Sequence, residues 1–423
     1  MDASIRKRMA NVVLATITVV AFATALAQTT ELRVWFGREN FIPADQFAVF
    51  HAENPDIRVN FEVIRLEDVP TQLILAQRAG QAPDIVQIAS HTVPQMASSG
   101  LLQSIGELVE RWQTEMPESY AALAPITWSA ASYDGEIYGA SLFNQSMYLF
   151  YRADWLAEAG ITQTPRTLDE VLAAARAMST LPAGGERIGF SVIGTANVPP
   201  VWELPLFMSL GGQFVDGIPQ LDSEAGYAFI DFYQTLMRDG LAHPDSLAWD
   251  PGEMRAAVIG GRAGMMIEGE HIYVPIHERI AYGSGDWSFT LLPHREGAES
   301  EARYIALGFP FLMTAASEND DAVLKVLEYL SRPDILMNVA LTYQPTSNLR
   351  VAEDPRYLAA KPWAMDILPL FEQVVQFPAH PSNQLEIMDV LVELRQEMLA
   401  NPTADSVDMA KRYQALLDEA ASR

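Results

Sequence analysis

Two carboxylates two residues apart, Glu268 and Glu270, could divide general acid and general base work between them. The chain has 54 Asp and Glu among 423 residues, so such spacings arise by chance, and the pair reads first as part of a solvated acidic face. Other catalytic patterns stop short. Gly189-Phe190-Ser191-Val192-Ile193 begins like a nucleophile elbow but lacks the closing glycine. His277-Glu278-Arg279-Ile280 begins like a zinc-protease helix, but Ala281 stands where the second histidine is needed. The seven histidines show no ligand spacing, and phosphate loops and dinucleotide fingerprints are absent. With no cysteine there are no disulfides, thiolate metal sites, Fe–S clusters or lipid-modified N-terminal cysteine. No cofactor is expected.

The aromatic residues say more. Eight tryptophans stand at 35, 112, 128, 155, 202, 249, 287 and 363, several beside expected loops and strand ends. Trp35 closes the first expected strand, and open α/β sheets bind ligands at the carboxyl ends of their strands. A flat ring with Asp, Glu, Asn, Gln and His around it suits a sugar, which has apolar C–H faces and a polar rim. Each tryptophan considered singly also fits a core position with its N–H satisfied.

These residues must be held by folded elements, and the composition supplies them. Hydrophobic residues make up 49 % and charged residues 19 %, a globular balance with material for two domains. The formal charge of −26 argues against nucleic acid and against an anionic membrane surface. Arg6, Lys7 and Arg8, the apolar stretch Val12 to Ala25, and Ala25-Leu26-Ala27 together read as a secretory signal cleaved before Gln28. The apolar run is too short for a spanning helix, which needs about 20 residues. The expected mature protein is soluble, exported and free in a periplasm. Glu31 to Phe36, Ile57 to Ile64 and Asp84 to Ile88 read as strands, with helices around Phe47 and Phe50 and over Gln72 to Ala79. That alternation implies parallel crossover units. Thr167 with Glu170 forms a capping box before a helix, and a second helix runs from Ser223 to Arg238 with Gly240 as its stop. Helices follow from about Ser317 to Leu330 and from Asp334 to Leu341 after Pro333. Two acidic helices split at Asn401-Pro402 close the chain.

An ordered set of segments then resembles one family. Leu32 to Phe36 comes first, followed by Gly80-Gln81-Ala82-Pro83-Asp84-Ile85-Val86 and Ser99-Gly100-Leu101-Leu102. Tyr133-Asp134-Gly135-Glu136-Ile137-Tyr138-Gly139 leads to Leu149-Phe150-Tyr151-Arg152-Ala153-Asp154-Trp155, Ala159-Gly160 and Pro165 to Glu170. Gly211-Gly212, Gly261 to Ile267 and Tyr343-Gln344-Pro345-Thr346 complete it. From Leu32 to about Leu417 the chain resembles the extracellular solute-binding protein family 1, the sugar receptors of ABC importers. It departs from that pattern at His91-Thr92, Ser141, Arg152 and Glu270-His271.

The resemblance implies an α/β, two-lobed periplasmic-binding-protein-like fold of type II, with a ligand cleft between lobes joined by hinge crossovers. It implies an N-lobe of 28–143 plus 306–350 and a C-lobe of 144–305 plus 351–423. Carried over residue by residue, the ligand contacts are Trp35, Arg38 and Glu39; Ser90, His91 and Thr92; Asn144 and Gln145; Trp202 and Glu203; Glu270, His271 and Tyr273; and Trp363. The implied function is capture of a carbohydrate, an oligosaccharide in particular, by hinge closure and delivery to the permease subunits of an ABC importer. The protein would act as a monomer, without catalysis. Alternatives are a receptor for a polyamine or a glycerophosphodiester, for which Arg38 is the mapped arginine, and an exported glycoside-acting enzyme.

Overall fold

The strand signals around Trp35 and Ile85 converge on one sheet. The computed structural model describes residues 29–37, 46–181, 187–279, 283–342, 345–367 and 374–423. The first sheet runs in the order Ile57–Val63, Thr30–Phe36, Ile85–Gln87, Phe311–Met313, Gly139–Ala140. Its first three strands are parallel, as the crossover pattern requires, and the two that arrive from later in the chain are antiparallel to their neighbours. Leu32 and Val34 are fully buried on one face, and Phe36 with Phe47 and Phe50 extends that core. Trp35 points the other way, as alternation demands, into a cluster with Val69, Leu73, Val86 and Ile88.

A second sheet has Asn144–Arg152 at its centre. Its order is Val374–Gln376, Tyr304–Gly308, Asn144–Arg152, Ala263–Gly269, Ile188–Ser191, with Trp287–Thr290 also paired to the central strand. Eight of the nine residues of Asn144–Arg152 are buried, because the strand is covered on both faces. The expected capping box is present: Thr167 Oγ1 accepts from Glu170 N at 3.3 Å, and Thr167 N donates to Glu170 Oε2 at 3.0 Å. Ser223 caps Glu224–Arg238, and Gly240 stops it at φ 67°. The final helices, Gln384–Ala400 and Ser406–Ala421, pack Leu391, Leu394, Tyr413 and Leu417 against Phe229 and Tyr233 of Glu224–Arg238.

The chain passes between the sheets at closely spaced points. Gly139–Ala140 lies in the first sheet and Asn144 opens the second. Gly308 ends a strand of the second, and Phe311 begins one of the first. Here the backbones are tied by small polar side chains. Ser141 Oγ accepts from Phe309 N at 3.1 Å, Ser347 Oγ donates to Ser141 O at 2.7 Å, and Asn144 Nδ2 donates to Ser141 O at 3.2 Å. Gly308 N donates to Ser90 Oγ at 3.0 Å. Gly308 has to be glycine, since a Cβ there would lie 2.6 Å from both Asn144 Oδ1 and Ser141 Oγ. Val351, Tyr357 and Ala364 still pack in the core of the first sheet, whereas Trp363 joins a cluster on the second.

Candidate functional site

Between the two sheets lies a cavity of about 360 Å³. Its first-sheet side carries Leu66, Glu67 and Pro70 with His91 and Thr92, which follow the strand Ile85–Gln87. Opposite stand Val198, Pro199, Val201 and Trp202, Arg255 on Pro251–Ile259, and His271 just past Ala263–Gly269. Leu385, Met388, Asp389 and Val392 of Gln384–Ala400 form one wall, and Gln145, Leu307, Gly308 and Phe309 of the crossovers also line it.

Glu268 organises the charged side of this cavity. It is fully buried, and its carboxylate collects three N–H donors with an imidazole close by. Arg255 Nε donates to Oε2 at 2.6 Å; Trp202 Nε1 and Gly269 N donate to Oε1 at 3.0 and 2.8 Å; His271 Nε2 lies 3.7 Å from Oε1. Burial alone would raise its pKa, but Arg255, His271 and the hydrogen bonds outweigh it and hold the carboxyl below its ordinary value. Arg255 Nη2 also meets His271 Nε2 at 3.2 Å. Arg255 sits here because Asp250 builds a capping box at the start of its helix: Oδ1 accepts from Gly252 N and Glu253 N, and Asp250 N donates to Glu253 Oε2. The half-buried Trp202 thus has its ring edge pinned while it lines the cavity.

The carboxylate pair is not a solvated face. Glu268 is 0 % and Glu270 3 % exposed, because Glu268 lies on Ala263–Gly269, the inner partner of Asn144–Arg152, and Glu270 follows in the turn directly after it. Glu270 accepts only Ser146 N at 3.0 Å from outside its own residue, and its Oε1 has no partner among the described residues. Burial pushes its pKa up to about 8.

Of the residues mapped from sequence, His91, Thr92, Gln145, Trp202 and His271 converge on the cavity. Burial takes the His91 imidazole down to about 4, so it is neutral. Ser90 and Asn144 are engaged in the crossover bonds. Glu203 lies behind the wall, where it faces Arg395 at 3.4 Å in a fully buried ion pair. Arg395 Nη2 donates to Thr195 O and Val198 O, so it ties the 195–199 loop to the helix Gln384–Ala400. Tyr273 stacks on Trp363, ring centres 5.0 Å apart, within the core of the second sheet. Trp35 sits in the first-sheet core, and its Nε1 finds no acceptor among the described residues. Arg38 and Glu39 lie outside the described residues. Arg255, Glu67, Asn197 and Asp389 line the cavity without having been singled out by the sequence. The available signal was Asp250-Pro251-Gly252-Glu253, a helix start that fixes where Arg255 faces. Among the described residues no cluster of three metal-ligating side chains occurs, and no helix is long and apolar enough to cross a membrane.

Residues 38–336 match the family model of the bacterial extracellular solute-binding proteins. The chain belongs to that family. A protein of Brucella abortus (strain 2308) described as a binding protein is 24 % identical over 291 residues, 67 % of each chain. Among solved structures, the maltose-bound MalE3 of T. maritima superposes with a TM-score of 0.77 at 21 % identity, covering 92 % of this chain and 99 % of that one. A solute-binding protein of Agrobacterium radiobacter K84 in complex with ribitol gives 0.77 at 17 % identity, over 93 % and 99 %. These likenesses establish the two-lobed fold of the solute-binding proteins. Family membership makes the chain an exported binder of a solute, not an enzyme.

Proposed function

We propose that this protein is the carbohydrate receptor of an ABC importer and closes on its ligand in the cavity between the two sheets. The observation that carries the reading is a cavity lined from both sheets, with Trp202 held as a stacking face by Glu268. Trp202 offers its ring to the C–H face of a sugar, and His91, Asn197, Arg255 and the carboxylates of Glu67 and Asp389 serve its hydroxyls. Contacts from both lobes favour the closed state, which the permease subunits receive. The protein acts as a monomer in the periplasm after removal of residues 1–27. The lobes are 28–143 with the segment from about 309 to 364, and 144–308 with the remainder. Supporting that division, Tyr304–Gly308 pairs in the second sheet and Val351 and Tyr357 pack on the first. Supporting this reading are the family match and the bound maltose and ribitol of the two neighbouring structures.

A thermal-shift screen tests it. At 100 times its dissociation constant a ligand adds about 2.7 kcal/mol. For a chain of this size that raises the melting temperature by several degrees, at roughly 2–4 °C per kcal/mol. A shift with sugars or polyols and none with spermidine or glycerophosphodiesters is expected. A shift with spermidine alone refutes the reading.

A further inference from the structure

The helix Gln384–Ala400 borrows its cap from a distant part of the chain. Asn383 stands at its cap position, yet makes no side-chain bond to the first turn; its amide donates instead to Ala421 O at 2.8 Å. The turn before the helix is held from within. His380 Nδ1 accepts from Ser382 N at 3.2 Å and Asn383 N at 2.9 Å, and Gln384 Oε1 accepts from His380 N at 2.7 Å. The N–H of Leu385, in the first turn, has no partner inside its helix and needs an acceptor from outside. Gln95 Oε1 supplies it at 3.1 Å.

Resting on the receptor reading and its hinge closure, we propose that Gln95 is a positioning residue, a latch that caps this helix across the cleft and biases the lobes toward the closed state. The two ends of the bond belong to separate cores. Gln95 rides on Val93–Ser98, whose Val93 and Met96 pack with Trp35 and Val86 on the first sheet. The helix Gln384–Ala400 packs Ile387 and Leu391 with Phe229 on the second. Two further contacts lie beside the bond. Ser98 Oγ donates to Pro381 O, and the His91 ring lies 5.6 Å from that of Phe377, a member of the second core. His91 and Leu385 both line the cavity, so the latch joins its two walls. Gln95 is buried and is not among the described residues of the lining, so it acts through the helix and not on the solute. On opening, the Leu385 N–H passes from Gln95 to water. That exchange favours the closed state by the net worth of one hydrogen bond, roughly two- to tenfold in population. Release of a bound solute requires the bond to break, so the latch also slows release.

Cross-linking in the absence of any sugar tests this on the full exported chain. The chain has no cysteine, so Ser98→Cys together with Ser382→Cys, at two exposed positions flanking the contact, introduces a single thiol pair. The rate at which a short thiol-to-thiol reagent joins that pair follows the fraction of time the two lobes meet. In this background Gln95→Met and Gln95→Ala remove the acceptor and should each slow cross-linking roughly two- to tenfold. Gln95→Glu keeps an acceptor at the helix N-terminus, where negative charge is favoured, and should at least match the parent rate. Equal rates in all four proteins overturn the latch. Slowing by all three variants, Gln95→Glu included, assigns the effect to packing and overturns it as well. A parent pair that never cross-links does the same. None of these outcomes depends on the sugar-receptor reading, which the thermal-shift screen decides separately.

Discussion

Glu268 and Glu270 are two residues apart and almost equally buried, yet they lie in opposite electrostatic states. Glu268 receives Arg255, the Trp202 N–H, the Gly269 N–H and the neighbouring His271, and stays ionised. Glu270 has Ser146 N as its hydrogen-bond donor from another residue. Its surroundings include Lys361, itself lowered to about 8 by burial against the pull of Glu270, and the phenols of Tyr148 and Tyr357. It is held protonated up to about pH 8. The difference shows that burial alone does not fix the charge of a carboxyl; the count and sign of the donors aimed at it do. Glu268 therefore builds the cavity, whereas Glu270 serves the packing behind it.

Four substitutions break or sharpen that contrast. The largest effect should come from Glu268→Ala, which leaves Arg255 without its counter-charge and Trp202 without its acceptor. A loss of about 3 kcal/mol in urea denaturation is expected. An unchanged midpoint would show that the pair contributes nothing. Glu270→Gln should do the reverse. A carboxyl raised in the folded state withdraws stability as pH rises from its unfolded value through its folded one. His91, lowered to about 4, acts below about 6.5, and Lys361 acts above about 8. Between about pH 6.5 and 8 the wild type should therefore lose stability through Glu270, and Glu270→Gln should remove that slope, gaining roughly 1–2 kcal/mol at pH 8. Melting curves across this range that coincide for the two proteins would place Glu270 among ordinary carboxylates. Glu268 has the opposite sign: its contribution is present above about pH 4.5 and declines as acid protonates it.

Smaller effects probe the aromatic that Glu268 holds. Trp202→Ala should weaken ligand binding by at least about 1 kcal/mol, roughly fivefold, with the fold retained. Unchanged affinity would remove Trp202 from the site. Trp202→Phe keeps a ring but not the N–H, and should cost about 0.5–1 kcal/mol of stability through Glu268 Oε1. Circular dichroism melts distinguish that loss from none.

The sequence carried the fold further than it carried the site. Local grammar is short-range, so the Thr167–Glu170 capping box, the Ser223 cap and the three parallel strands around Trp35 were readable residue by residue. Family position also brought His91, Thr92, Gln145, Trp202 and His271 to one cavity. Residue type did not reveal which way a side chain turns. Glu203 has the chemistry of a sugar contact, but Arg395, almost 200 positions later, claims it. Trp363 has the chemistry of a stacking platform, but Tyr273 covers it. Arg255 passed as an ordinary helix charge because its partner, Glu268, lies on a strand beyond a turn. Each case depends on pairing across the fold, which spacing along the chain does not record.

The Arg395 tie has a consequence for the life of the molecule before it meets any solute. Leu66 and Val392 face the same cavity, and the 195–199 loop hangs from Arg395 through two carbonyls. No fragment that stops short of the helix Gln384–Ala400 can hold that wall in place. Contacts so distant along the chain also form slowly. A chain still being synthesised thus lacks this wall of the cavity until residues near 395 have been added.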